Sequence, residues 1–226
     1  MVKGSKKIRR LVIMPVVLSV NPESPDIEAI NRAVKVIQAG GVIVYPTDTV
    51  YGLGANALNP LSVLKVYKAK NRQLDRALPL IVTGLKMAEL LAVVTKKARK
   101  LIQVFWPGAL TIILKKKPLV PPIVAGGKFS IGIRTPNHSV PLMICKRLGL
   151  PLTATSANKH GGQNPIDVKD VLIQLKEGID LVLDGGRTKI GIGSTVIDLT
   201  RNPPLILREG SIIKETIEQT IGRVDN

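Results

Sequence analysis

Two spaced pairs of side chains carry the chemistry that stands out first in this sequence. Lys70 and Arg72 sit in KAKNR, and Ser156 and Asn158 sit in TATSAN. A lysine point charge beside the planar fork of an arginine suits a phosphate clamp. The same two cations would also stabilise the C-terminus of a preceding helix. Ser156 and Asn158 allow two readings as well, as caps of the following turn or as donors to phosphate and sugar oxygens. Further polar groups close other apolar runs: Thr47-Asp48-Thr49 after VIVYP, and Arg134-Thr135 after SIGI. In open α/β sheets ligands bind in the crevice beyond the carboxyl ends of strands, so several such ends meeting would make a concave site.

Other signatures are missing. The sequence contains no G-x-x-x-x-G-K-[ST] and no complete G-x-G-x-x-G; GLGANA after Tyr51 supplies two glycines without the third. His138 and His160 are the only histidines and have no metal-ligand spacing, so no metal-ligating residue is assigned. No G-x-S-x-G elbow supports a serine nucleophile. Catalysis here would rest on positioning and charge neutralisation. The single cysteine, Cys145, excludes an intrachain disulfide or a multi-cysteine zinc site and reads as a core thiol of an intracellular chain. The net charge of +17 favours polyanions and makes salt-sensitive RNA affinity an expectation.

These groups need elements to hold them. Of 226 residues, 45 % are hydrophobic but only 3 % aromatic, so the core must be aliphatic. A basic start followed by LVIMPVVLSV imitates a secretory signal, but Pro15 interrupts the run and no small-x-small site follows. It is read as a first strand, and no run is long enough to span a membrane. Ser24-Pro25 predicts a helix start with Ile27, Ile30, Val34 and Ile37 on one face; Gly40-Gly41 ends it. A second helix is predicted over 60–70, with Leu61, Leu64 and Tyr67 recurring. Further helices are expected in KKARKLIQVFW, PLMICKRLG and VKDVLIQLKEG, and a last one capped by Ser211. Strands are expected at VIVYP, LPLIV, LTIIL, SIGIR, PLTATSA, DLVLD, STVIDL and PLILRE. The alternation, with successive strands near the end, predicts an α/β fold: a mixed parallel and antiparallel sheet with helices on its faces. One domain is expected over 16–226, after a basic extension at 1–15.

In order, VNPESPD, AGGVIVYPTDTVYGLGANA, KNR, PLIV, WPGALTIIL, IGIRTPNH, TATSANKHGGQNP, GSTVID and ILREGS resemble the YrdC-like family of L-threonylcarbamoyladenylate synthases, in its single-domain form. The resemblance covers roughly residues 16–222. It implies a twisted sheet around a basic concave cleft. It also implies conversion of L-threonine, bicarbonate and ATP, with Mg²⁺, to threonylcarbamoyl-AMP and pyrophosphate. A tRNA-modification complex downstream would use the product, in the cytoplasm. The resemblance gives Lys70, Arg72, Ser156 and Asn158 catalytic roles. It makes Arg72, Ser130, Ser156, Asn164 and Arg208 ATP contacts. Thr49, Arg134 and Ser194 become threonine contacts, as does Thr83, which stands where many relatives carry a histidine. The alternative is a module that binds double-stranded RNA or tRNA without synthase activity.

Overall fold

The computed structural model describes residues 14–175 and 177–226. Most of the basic N-terminal extension, KGSKKIRR included, lies outside them. The chain runs β1 (Val16–Ser19), α1 (Ile27–Gln38), β2 (Ile43–Tyr45), β3 (Gly52–Gly54), α2 (Pro60–Lys70), β4 (Leu80–Ile81), α3 (Leu85–Leu91) and α4 (Lys96–Phe105). It continues through β5 (Leu110–Lys115), β6 (Ser130–Arg134), α5 (Ser139–Leu148), β7 (Leu152–Thr153), β8 (Thr155–Ser156) and α6 (Val168–Gln174). It closes with β9 (Leu181–Asp184), β10 (Thr195–Asp198), β11 (Leu205–Arg208) and α7 (Lys214–Ile221).

The strands form mixed sheets, as the α/β pattern predicts, but they divide between two of them. One is ordered β1-β9-β2-β3-β8 and the other β11-β10-β5-β6-β4-β7. PLTATSA is the seam. Its first half, β7, pairs with β4 in the larger sheet; its second half, β8, pairs with β3 in the smaller one. Between them the Ala154 N–H donates to Pro79 O at 2.7 Å, so the chain crosses from sheet to sheet within one residue.

Alternation along the strands explains the packing. Ile43, Tyr45, Leu181 and Leu183 face α1 and α5 in one buried cluster; Val42, Val44 and Val182 face the larger cluster on the other side. With both faces covered, these strands read as unbroken apolar runs.

Helix starts depart from the expected caps. α1 begins at Ile27 behind Asp26, with no side-chain cap; Ser24 instead lies in a turn where Asn21 Oδ1 accepts the N–H of Glu23 and Ser24. α7 likewise starts at Lys214 without a bond from Ser211. α2 runs over the predicted residues, because Asn59 Oδ1 accepts from Leu61 and Ser62 and Pro60 needs no N–H partner. Its buried stripe is Val63, Val66, Tyr67 and Lys70, whereas Leu61 is 72 % exposed. Asn71 closes the helix in the left-handed region, φ 50°, which turns Arg72 away from the helix axis. β3 and α3 are elements the sequence pattern did not predict.

Candidate active site

The polar strand ends converge on a cavity of about 320 Å³. One wall comes from the smaller sheet and the turn after β2: Tyr45, Thr47, Thr49, Val50, Tyr51, Gly52, Thr155 and Ser156. The floor is one face of the larger sheet, where Thr111 and Ile113 of β5 lie beside Gly132 and Arg134 of β6 and Val196 of β10. Arg72, Asn164, Ser194 and Arg208 also line the cavity. Three arginines therefore border this space, and among the described residues no carboxylate does.

Arg134 is 7 % exposed and tightly held. Its Nε donates to Gly108 O at 2.8 Å, Nη1 to Thr49 Oγ1 at 2.8 Å and Nη2 to Asp48 Oδ1 at 2.5 Å. A guanidinium has five N–H groups, so one on each terminal nitrogen remains for a ligand. Burial pulls the Arg134 pKa down and the Asp48 carboxylate opposes it, keeping the cation paired. Asp48, which the sequence left without a role, fixes this fork. The turn is stiff: Thr47 Oγ1 accepts the N–H of Thr49 and Val50 and donates to Val50 O at 2.7 Å.

A glycine-rich stretch after β9 lies against the same turn. Ile190 N–H donates to Asp48 O at 3.1 Å and Gly191 N–H to Thr49 O at 2.9 Å. Tyr51 OH donates to Gly186 O at 2.6 Å, and burial holds that phenol well above its ordinary pKa. The stretch delivers Ser194, whose carbonyl accepts from Arg208 Nε and Nη2 at 3.0 and 2.7 Å. A Cβ on Gly193 would lie 3.0 Å from Arg208 Cζ, so glycine lets the guanidinium lie flat there.

Arg72 lines the cavity with its fork braced by neutral oxygens, Nε on Arg76 O at 3.2 Å and Nη2 on Ala77 O at 2.9 Å. Ser156 and Asn164 also line it. Lys70 and Asn158 do not. Lys70, 1 % exposed, donates to Ser156 O and Asn158 O at 2.5 Å and to Asn158 Oδ1 at 2.9 Å. Asn158 Oδ1 also accepts from Ser156 Oγ at 2.7 Å, and its amide donates to Gly162 O and Gln163 O. These two side chains bolt together the loop that presents Ser156 and Asn164. Burial, with the Arg72 charge nearby, pulls the Lys70 ammonium down to about 7, against oxygen partners that favour its charged form.

Two expected contacts fall elsewhere. Thr83 is exposed and borders a separate surface groove with Glu23 and Met143. Ser130 shares the strand face of Gly132 and Arg134 but sits at the other end of β6, opposite Lys115 and outside the lining. Gly52, which lines the cavity, and Gly54 make room for an aromatic ring. A Cβ at either would strike the Tyr45 ring, at 2.6 and 2.5 Å, so the glycines seat Tyr45, whose OH donates to Thr153 O at 2.8 Å. Thr111 was not singled out from the sequence, although the alternation of LTIIL puts Thr111 and Ile113 on one face.

Fold and site together define an α/β protein with a cationic, hydroxyl-lined ligand cavity at the seam of two mixed sheets. The chain belongs to the Sua5, YciO and YrdC family: the family's sequence model, described as "Telomere recombination", matches residues 35–210. It is 38 % identical over 196 residues to the threonylcarbamoyl-AMP synthase of Pyrococcus abyssi, covering 86 % of this chain and 58 % of that one. A putative threonylcarbamoyl-AMP synthase of Methanocaldococcus jannaschii is 41 % identical over 179 residues, 79 % of this chain and 84 % of the relative. The crystal structure of P. abyssi Sua5 complexed with L-threonine superposes with a TM-score of 0.89 at 37 % identity, over 92 % of this chain and 62 % of that protein. The chain thus spans a little over half the length of several curated relatives that it matches.

Proposed function

We propose that the protein is an ATP-dependent L-threonylcarbamoyladenylate synthase, with residues 16–226 acting as one catalytic unit in the cytoplasm. The observation that carries this reading is the unequal pairing of the cavity's arginines. Arg134 meets a carboxylate, whereas Arg72 and Arg208 meet only neutral oxygens. The first setting suits a zwitterion such as an amino acid; the other two suit a polyphosphate. The names of the relatives and the L-threonine complex of P. abyssi Sua5 support threonine as the amino acid and ATP as the nucleotide.

In this mechanism Arg134 takes the threonine carboxylate, with Thr49 and Ser194 beside it. The threonine amine forms a C–N bond to bicarbonate carbon with loss of water. A carbamate oxygen then attacks the α-phosphorus of ATP, and the bond to the departing pyrophosphate breaks. Arg72 and Arg208, with the Asn164 amide, bind the phosphates and neutralise charge that grows on the leaving group, while Ser156, whose proton goes to Asn158 Oδ1, offers the nucleotide an acceptor. Lys70 and Asn158 hold that wall in place. Mg²⁺, expected with ATP, finds no carboxylate in the lining and no cluster of metal-binding side chains among the described residues, so no step is assigned to it.

The product would be handed to tRNA-modifying partners. The net charge of +17 favours a second reading, direct double-stranded RNA or tRNA binding, which predicts affinity falling steeply with salt. The deciding experiment incubates the full chain with ATP, Mg²⁺, L-threonine and bicarbonate and follows pyrophosphate and threonylcarbamoyl-AMP by mass spectrometry. Product that requires every substrate is expected; absence of the adenylate would sink the synthase reading.

A further inference from the structure

The hydroxyls of the cavity differ in which way their protons point, and the packing around them decides it. Thr47 donates its only hydroxyl proton to Val50 O at 2.7 Å. Any hydrogen bond across the 3.0 Å contact between Thr47 and Thr49 is then donated by Thr49, sharing the Thr47 lone pairs with the N–H groups of Thr49 and Val50. Thr49 also accepts from Arg134 Nη1, so toward the cavity it offers only a lone pair, fit for a ligand N–H.

A second hydroxyl pair has the opposite sense. Thr111 Oγ1 and Ser194 Oγ lie 2.8 Å apart, both buried, and among the described residues neither hydroxyl donates to any other acceptor. One proton of the two is spent between them, and one is left over for the cavity. Ser194 Oγ already accepts from Arg208 Nη2 at 3.2 Å. A hydroxyl that accepts from a cation becomes a better donor, whereas two donors on one oxygen oppose each other. The chain therefore runs Arg208 to Ser194 to Thr111, and the spare proton belongs to Thr111. Its rotamer is set by a gap: the Thr111 methyl packs over Gly132, where an added Cβ would come within 3.2 Å of it.

Thr111 also has a defined neighbour. One step beyond the Ile112–Ile133 pair, the antiparallel register of β5 and β6 brings Thr111 opposite Arg134 on the cavity face. We infer that Thr111 is a binding residue of this site, donating its hydroxyl proton to the ligand carboxylate that Arg134 holds. The inference rests on the amino-acid reading above. It makes one corner, Arg134 with Thr111, donate to the carboxylate, while Thr49 accepts from the amine.

Calorimetry of the full chain with L-threonine, with L-threoninol (which lacks the carboxylate) and with ATP tests this in wild type, Thr111→Val and Thr111→Ser. Thr111→Val should weaken threonine binding about tenfold or more, the worth of a hydrogen bond to a charged group, with threoninol and ATP changed by less than about threefold. Thr111→Ser, which restores the donor, should return threonine binding to within about threefold of wild type. Unchanged threonine affinity in Thr111→Val, or equal losses for threonine and threoninol, would overturn the role of Thr111 alone. Wild-type protein that binds no amino acid would overturn the amino-acid reading together with it.

Discussion

Replacing Asp48 by Asn keeps the size of the side chain and an oxygen for Arg134 but removes the charge. The pair is only 9 % and 8 % exposed at its two side chains, so solvent does little to screen it. Truncating one partner of such a buried pair costs about 3–5 kcal/mol, because the other charge is left uncompensated. The retained neutral bond recovers about 1 kcal/mol of that. Asp48→Asn should then destabilise by about 2–4 kcal/mol and lower the melting temperature by roughly 4–16 °C for a chain of this size. Adding Arg134→Met removes the stranded cation, and the double variant should be more stable than the two single losses predict, by at least about 2 kcal/mol. Function gives an independent reading. A fork no longer fixed by Asp48 should raise KM for threonine by about tenfold while KM for ATP stays near wild type. Urea denaturation of the four proteins and steady-state pyrophosphate release measure the two parts. Additivity within about 0.5 kcal/mol, or an unchanged threonine KM, would refute the claim that Asp48 sets the geometry of Arg134.

Other consequences are equally direct. Because the Lys70 pKa is pulled down from 10.5 to about 7, the unfolded chain binds more protons than the folded one between those values. Wild-type stability should therefore gain a rising component from about pH 7 to pH 10 that Lys70→Met lacks; identical pH profiles for the two would contradict the burial argument. Gly54→Ala drives a methyl into the Tyr45 ring and should cost about 1–3 kcal/mol in urea denaturation, without the selective threonine defect of Asp48→Asn. Thr83→Ala should leave stability and kcat/KM for threonine within about twofold of wild type, since Thr83 is exposed and outside the cavity.

Much of the fold was legible because its signals are local. Asn59-Pro60 fixes the start of α2, and the unbroken runs of β2 and β9 announce strands buried on both faces. What escaped depends on distant partners. GLG of β3 looks like a turn, since two of its three residues are glycine; it is a strand only because β2 and β8 pair on either side of it and the Tyr45 ring fills the space above. PLTATSA carries one apolar-to-polar gradient, and nothing in it reveals that Ala154 passes the chain between sheets. On α2 the recurring Leu61, Leu64 and Tyr67 mark the core only at Tyr67, since Leu61 is exposed and Val63 and Val66 are buried instead. Spacings of three continue around either stripe, and only the partner surface selects one.

The arginines make the same point at the level of the site. Arg134 and Arg208 each close an apolar run, and Arg72 follows the polar end of a helix in KAKN, but none of these settings shows which arginine has an acidic partner. Arg134 alone meets a carboxylate, because the stiff turn after β2 carries Asp48 across to the end of β6, a separation of 86 residues in the chain. Arg72 and Arg208 are turned by backbone carbonyls, which orient a guanidinium without cancelling its charge. An anion entering the cavity thus meets two kinds of guanidinium, the first, Arg134, nearly balanced by a carboxylate and the second, Arg72 and Arg208, held by neutral oxygens with their charge uncompensated. A zwitterion gains little from the second, and a polyphosphate little from the first. Under the proposed function, selectivity between a zwitterion and a polyphosphate follows from which arginine has an acidic partner, a property of tertiary contact that residue type and spacing along the chain do not encode.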